Sequence, residues 1–129
     1  MRVVTEAKFN LAERTARFGE ATIQFVIQIK RTAVNSPLIS QLIRSATSIG
    51  ANYCEADEAG TKKEFTYRIS VCNRETRETK YWLRMIVAAC PDKKEEARNL
   101  WKEADELNRI FATIHRTSIQ NKQQKPQNG

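Results

Sequence analysis

Basic side chains recur along one segment of this 129-residue chain, and phosphate binding is the chemistry that such a pattern supports. Residues 61–90 hold seven Lys or Arg and three Asp or Glu, and they supply more than half of the net charge of +7. Cations repeated along one helix face attract nucleic-acid phosphates. The alternative is a solvated face that pairs with Glu95, Glu96 and Glu103. The candidate nucleic-acid-binding residues are Lys62, Lys63, Arg74, Arg77, Lys80 and Arg84.

Residue types that catalysis requires are scarce. His115 is the single histidine, so the Glu-x-x-His pairs of di-metal bundles are missing. Cys54 lies near Asn52 and Glu55, but no histidine stands a turn away to activate its thiol. No glycine-rich phosphate loop occurs. The sequence therefore predicts a protein that is not an enzyme and that uses no cofactor and no metal.

The composition is typical of one soluble domain, with 40% hydrophobic and 29% charged residues. The three cysteines, Cys54, Cys72 and Cys90, are odd in number and lack CxxC spacing, which predicts reduced and mostly buried thiols. No apolar run is long enough to span a bilayer, and no signal peptide is visible. We therefore expect a cytoplasmic protein with no membrane partner.

Apolar residues at spacings of three and four predict four long helices joined by short links. The predicted helices cover residues 5–31, 37–59, 62–90 and 93–119. Such a pattern indicates an all-α, antiparallel up-down-up-down four-helix bundle over residues 1–119. Residues 120–129 are polar, and we expect them to form a disordered tail. Ser36 is the expected cap of the second helix, and Thr61 with Glu64 forms a capping-box pattern for the third.

The same spacing predicts which residues face the core. In the third helix they form a heptad seam that includes Ile69, Cys72 and Leu83. In the fourth helix Trp101 is expected to face inward with Leu107. In the first helix the expected inward residues are Phe9, Ala12, Ala16, Ile23, Val26 and Ile27.

Two further faces remain after the core is assigned. The second helix carries a stripe of amide, hydroxyl and charged groups, and the third carries two carboxylates beside Trp82. Buried charges need partners, and a second subunit would supply them. The alternatives are an ordinary solvated face and a partly exposed Trp on a monomer. The candidate oligomer-interface residues are Gln41, Arg44, Ser48, Asn52, Glu55, Glu75, Glu78 and Trp82.

Two segments of the chain resemble a known family. The run QLIRSATSIGANYCE, residues 41–55, is similar to the Q-L-x-R-S-x-x-S-I-x-A-N-x-x-E signature of bacterial four-helix-bundle proteins encoded by intervening sequences in 23S rRNA genes. Lys63-Glu64-Phe65 and the run ETKYWL, residues 78–83, resemble its K-x-F and E-T-x-Y-W-L segments. Ala56 departs from a frequent glycine, and Tyr53 and Cys54 replace smaller aliphatic residues.

The resemblance implies a homo-oligomer, with homopentameric rings as in the family, and it would place the candidate interface residues between adjacent subunits. A related branch, the accessory proteins of diversity-generating retroelements, implies nucleic acid and a reverse transcriptase as partners. We therefore expect a non-enzymatic, homo-oligomeric bundle that binds RNA or DNA through a basic face. The alternative is a protein–protein interaction scaffold of unknown partner, dominated by Trp82.

Overall fold

The computed structural model describes residues 10–124, which fold as an all-α four-helix bundle. The helices are α1 (Leu11–Ile27), α2 (Asn35–Asp57), α3 (Lys62–Ala89) and α4 (Lys94–Gln124), with a 3₁₀ turn at Pro91–Lys93. Each helix packs against the next in the chain, and α1 also meets α4. Consecutive helices run antiparallel, so the predicted fold class is confirmed.

Side-chain caps fix where two of the helices begin. The Thr61 hydroxyl accepts a 3.1 Å hydrogen bond from the Glu64 amide, as the capping pattern predicts. Before α2, the Thr32 hydroxyl accepts from the Asn35 amide and the Asn35 side chain accepts from the Thr32 amide, at 3.0 and 2.8 Å. The predicted cap at Ser36 is therefore wrong, because this reciprocal pair starts the helix two residues earlier than expected.

The core lies chiefly between α2, α3 and α4, as the heptad seam predicts. Leu42, Ile49, Cys72 and Leu107 are fully buried there. Polar groups in the core include the Thr79 hydroxyl, which donates to the Ser45 hydroxyl at 2.9 Å. This continuous packing holds α3 in a fixed rotation about its axis and so determines which side chains it exposes.

The inward face predicted for α1 is largely wrong. Val26 is buried, but Ile23 and Ile27 are 38% and 67% exposed, and Phe9 lies outside the described residues. Threonine hydroxyls can be buried here because each donates to a carbonyl one turn earlier, at 2.6 Å for Thr15 and 2.9 Å for Thr22. Ala12 and Ala16 are also exposed. The residues of α1 that are buried are Leu11, Thr15, Phe18, Gly19, Thr22, Phe25 and Val26.

Two helices also end at residues other than the predicted ones. Helix α4 continues to Gln124, so residues 120–124, for which we predicted disorder, are helical, while residues 125–129 lie outside the described part. Helix α1 ends at Ile27 rather than near residue 31. Within residues 10–124, no helix combines the length and the apolar character that crossing a bilayer requires.

Candidate nucleic-acid interface

Helix α3 turns one face outward, away from the other helices, and this face is basic and aromatic. Its large side chains recur at spacings of three, four or seven residues, and all of them are exposed. At about 100° per residue they fall within about 100° of the helix circumference. We name these residues the basic face of α3: Lys63, Tyr67, Arg74, Arg77, Tyr81 and Arg84.

The acidic residues in the middle of α3 point elsewhere, toward α2. Arg44 of α2 forms ion pairs with both Glu75 and Glu78. The indole N–H of Trp82 donates a 3.1 Å hydrogen bond to Glu78. This hydrogen bond and the Arg44 guanidinium lower the pKa of Glu78. The carboxylates are therefore neutralised on the α2 side of α3, and within residues 10–124 they do not compensate the charge of the outward arginines.

Lys80 does not belong to the basic face, contrary to our prediction. Its Nζ lies 2.8 Å from Asp105 Oδ1 on α4 and 5.1 Å from the centre of the Trp101 ring. The Lys80 hydrogen bond, followed by that of Arg109, lowers the pKa of the Asp105 carboxyl. Lys80 therefore takes part in the contact between α3 and α4. Lys62, also predicted to bind phosphate, is exposed but lies toward α4 beside residues 113–118.

The alternative in which acids of α4 neutralise the basic face finds little support. Glu103 pairs with Arg14 of α1 at 2.7 Å, and Glu95 approaches Arg98 of its own helix at 3.7 Å. Among the described residues, no ion pair joins Arg74, Arg77 or Arg84 to a carboxylate. Arg74, Arg77 and Arg84 are all exposed.

A groove of about 470 Å³ extends the positive surface from α3 onto α4. Its basic lining residues are Arg84 of α3 with Lys94, Arg98 and Lys102 of α4. We call it the α3/α4 groove. Sequence reasoning missed the three α4 residues because acidic residues alternate with them along the chain. Their spacing of four, which places them on one helix face, was the signal that could have found them.

The candidate oligomer-interface residues line the contact between α2 and α3. Arg44 Nε donates to Gln41, and Arg68 Nη1 donates to Asn52 at 3.1 Å. The Ser48 hydroxyl donates to the Arg44 carbonyl, and Glu55 is exposed. The acids that we expected a neighbouring subunit to neutralise are paired within the chain. The structure holds one chain, so the homopentamer stays a prediction.

In the described part of the chain, no three His, Cys, Asp or Glu residues are arranged to hold a metal ion. The three cysteines are free, with Cys54 exposed and Cys72 and Cys90 buried. Burial raises the pKa of the Cys72 thiol to about 12, which keeps it protonated and unreactive.

Fold and surface together define a four-helix-bundle protein whose third helix separates its basic and acidic side chains. The chain matches the model of the 23S rRNA-intervening sequence protein family over residues 7–113, and it therefore belongs to that family. It is similar to a Bacteroides thetaiotaomicron protein of unknown function from the S23 ribosomal protein family, solved at 1.70 Å. The two share 25% sequence identity and a TM-score of 0.70, over 81% of this chain and 96% of the other. No curated protein matches the chain.

Proposed function

We propose that this protein is a non-enzymatic homo-oligomer that binds nucleic acid through the basic face of α3. The observation that carries the proposal is the separation of charge on this helix. Arg44 neutralises Glu75 and Glu78 on one side, while Arg74 and Arg77 project from another without an acidic partner among the described residues. A solvated helix surface usually mixes both signs of charge, whereas phosphate binding needs one sign concentrated along a line.

The dimensions of the basic face suit a phosphate backbone. Arg74 and Arg84 are ten residues apart, which corresponds to about 15 Å along the helix axis. Duplex DNA carries one phosphate charge per roughly 1.7 Å of its axis, so several phosphates lie within reach of this span. Contacts of this kind hold the backbone and do not read bases, and we expect weak dependence on sequence.

Self-association is supported by one feature of the surface. A second, apolar groove of about 310 Å³ between α1 and α2 exposes Ile23 beside Gly19 and Ala51. An exposed apolar groove is covered when another copy packs against it. Repetition around a ring would place several basic faces in one field.

The protein–protein scaffold is the alternative function. Trp82 is half-buried and packs edge-on against Tyr81, with 4.9 Å between the ring centres, so the pair offers an aromatic anchor. Binding through this pair would depend little on salt, whereas phosphate binding would weaken steeply as salt rises. A reverse transcriptase as partner, suggested by the related branch, belongs to this alternative.

Fluorescence anisotropy with duplex DNA and ribosomal RNA hairpins, titrated across salt, tests the proposal. Replacing Arg74 and Arg77 with Ala should reduce the slope of log affinity against log salt by about two units, because each lost phosphate contact removes about one. The charge-matched control replaces Arg17 of α1 and Arg31 of the link between α1 and α2, neither of which belongs to α3, and should keep the wild-type slope. Absence of binding near 50 mM salt, or equal slopes for the two double variants, would refute the proposal.

A further inference from the structure

The α3/α4 groove has an apolar floor. Leu83 and Val87 of α3 face Ala97 and Trp101 of α4 across it. Trp101 is 41% exposed, so the inward position that we predicted for it is wrong, although tryptophan is usually well buried in folded domains. The Lys80 ammonium lies 5.1 Å from the centre of this ring but does not line the groove, whereas Trp101 does.

The rim of the groove is strongly positive. Arg84, Lys94, Arg98 and Lys102 line it, and no acidic residue in the described part of the chain does. Arg98 approaches Glu95 at 3.7 Å, but the Glu95 side chain is 81% exposed, and a pair so open to water neutralises little charge. A ligand that matches this site combines a flat or apolar centre with negative charge on more than one side.

We propose that the α3/α4 groove binds an unpaired nucleobase of a single-stranded nucleic acid, with the flanking phosphates on its basic rim. The inference rests on the proposed nucleic-acid binding and adds the class of strand that this protein prefers. A volume of about 470 Å³ lies within the range of roughly 300–1,000 Å³ typical of small-molecule sites. Stacking of bases on aromatic side chains next to cations is the general mode of single-strand recognition.

Continuity with the basic face favours a nucleic acid over an acidic peptide. Arg84 belongs both to the basic face of α3 and to the groove, so a backbone that follows Arg74 and Arg77 leads directly to the groove. A base within a duplex is stacked on its neighbours and cannot enter the groove unless it is flipped out. A single strand, a loop or a bulge has no such restriction.

The first experiment uses Trp101 as its own reporter. The chain has two tryptophans, so a Trp82→Phe variant leaves Trp101 as the only indole. Oligothymidylate should quench the fluorescence of this variant on binding. An abasic oligonucleotide with the same number of phosphates should bind more weakly and leave the fluorescence unchanged, since it has no base to stack.

The second experiment removes the stacking surface. Trp101→Ala should lower the affinity for oligothymidylate roughly 5- to 150-fold, as expected for the loss of one stacked base. It should leave the affinities for the abasic strand and for duplex DNA unchanged. Trp101→Phe should retain part of the affinity, because phenylalanine keeps an aromatic face. Circular dichroism of each variant establishes that the helices are intact.

The outcomes separate the inference from the proposed function. Equal affinity for the thymidylate and abasic strands, with no change in Trp101 fluorescence, overturns the groove as a base site. If both strands then still lose affinity when Arg74 and Arg77 are replaced, the basic face binds phosphates although the groove binds no base. If a Glu-rich peptide changes the fluorescence of Trp101 and oligothymidylate does not, the occupant of the groove is not a nucleobase.

Discussion

Lys80 of α3 donates a 2.8 Å hydrogen bond to Asp105 of α4, and this pair separates Lys80 in function from the exposed arginines of the same helix. Arg74 and Arg77 are exposed on the basic face of α3, and Arg84 is exposed and lines the α3/α4 groove. Each side chain of the pair is about one-fifth exposed. An ammonium that is already hydrogen-bonded and partly desolvated would have to give up this partner to bind a phosphate.

Lys80 should therefore contribute little to nucleic-acid affinity. In Lys80→Met, we expect the salt slope of duplex binding to match that of the wild type, because the charge of this lysine is compensated by Asp105. Arg77→Met is the matched comparison on the same helix and should lower the slope by about one unit. Equal losses in the two variants would contradict this prediction.

Arg44 should stabilise the fold more than an ordinary surface arginine does. Arg44→Ala leaves Glu75, whose side chain is 16% exposed, and Glu78 without their cation. We expect a loss of about 1–2 kcal/mol in the free energy of unfolding, measured by urea denaturation. The control is Arg17→Ala, which breaks a pair with Glu13 whose side chains are 75% and 55% exposed, and it should cost less than about 0.5 kcal/mol. Equal costs would mean that the Arg44 pairs are as weak as exposed ones.

The Glu78 carboxyl should make stability depend on acidic pH. The Trp82 N–H and Arg44 lower its pKa in the folded chain below the ordinary value of 4.5. The stabilisation is therefore present above pH 4.5 and is lost as the pH falls through the lower, folded pKa. Glu78→Gln should flatten this part of the profile of unfolding free energy against pH. A variant that loses stability as steeply as the wild type below pH 4.5 would exclude Glu78 as a cause.

Two helical glycines should respond differently to alanine. A methyl group on Gly19 would lie 3.7 Å from Thr47 Cγ2, which is an ordinary contact. Gly19→Ala should therefore raise the free energy of unfolding by about 0.5–1 kcal/mol, because alanine has the higher helix propensity. On Gly50 it would lie 3.1 Å from the Thr15 hydroxyl, which is held by its bond to the Leu11 carbonyl. Gly50→Ala should therefore destabilise the fold. Thermal melting of the pair tests this, and a gain for both would contradict it.

The sequence predicted α2 and α3 well because their core residues are apolar and regularly spaced. Ile49 and Leu83 are buried as expected, and the capping pattern at Thr61 is confirmed. The same reasoning failed for helix α1, which buries Thr15 and Thr22. Their hydroxyls can be buried because each donates a hydrogen bond to a carbonyl of the same helix. A hydropathy pattern counts such threonines as polar and rotates the expected inward face toward exposed isoleucines.

The candidate site was predicted only in part, for a different reason. The positions of Arg74 and Arg77 follow from helix periodicity, which is a local property of the sequence. That Lys80 meets Asp105, and that Arg98 of α4 faces the same groove as Arg84 of α3, depends on how two helices pack. The packing of two helices determines which charged side chains form pairs and which remain free, and the spacing of residues in the sequence does not specify this packing.

The joining of α1 to α4 has a consequence for how this chain folds. Arg14 meets Glu103 across 89 residues of sequence, whereas the other contacts between helices of residues 10–124 join neighbours along the chain. Local contacts form rapidly, and closure over a long separation carries the larger entropic cost. We expect α2, α3 and α4 to assemble first and α1 to dock last. In native-state hydrogen exchange the amides of α1 should then open at the lowest free energy, as one cooperative unit.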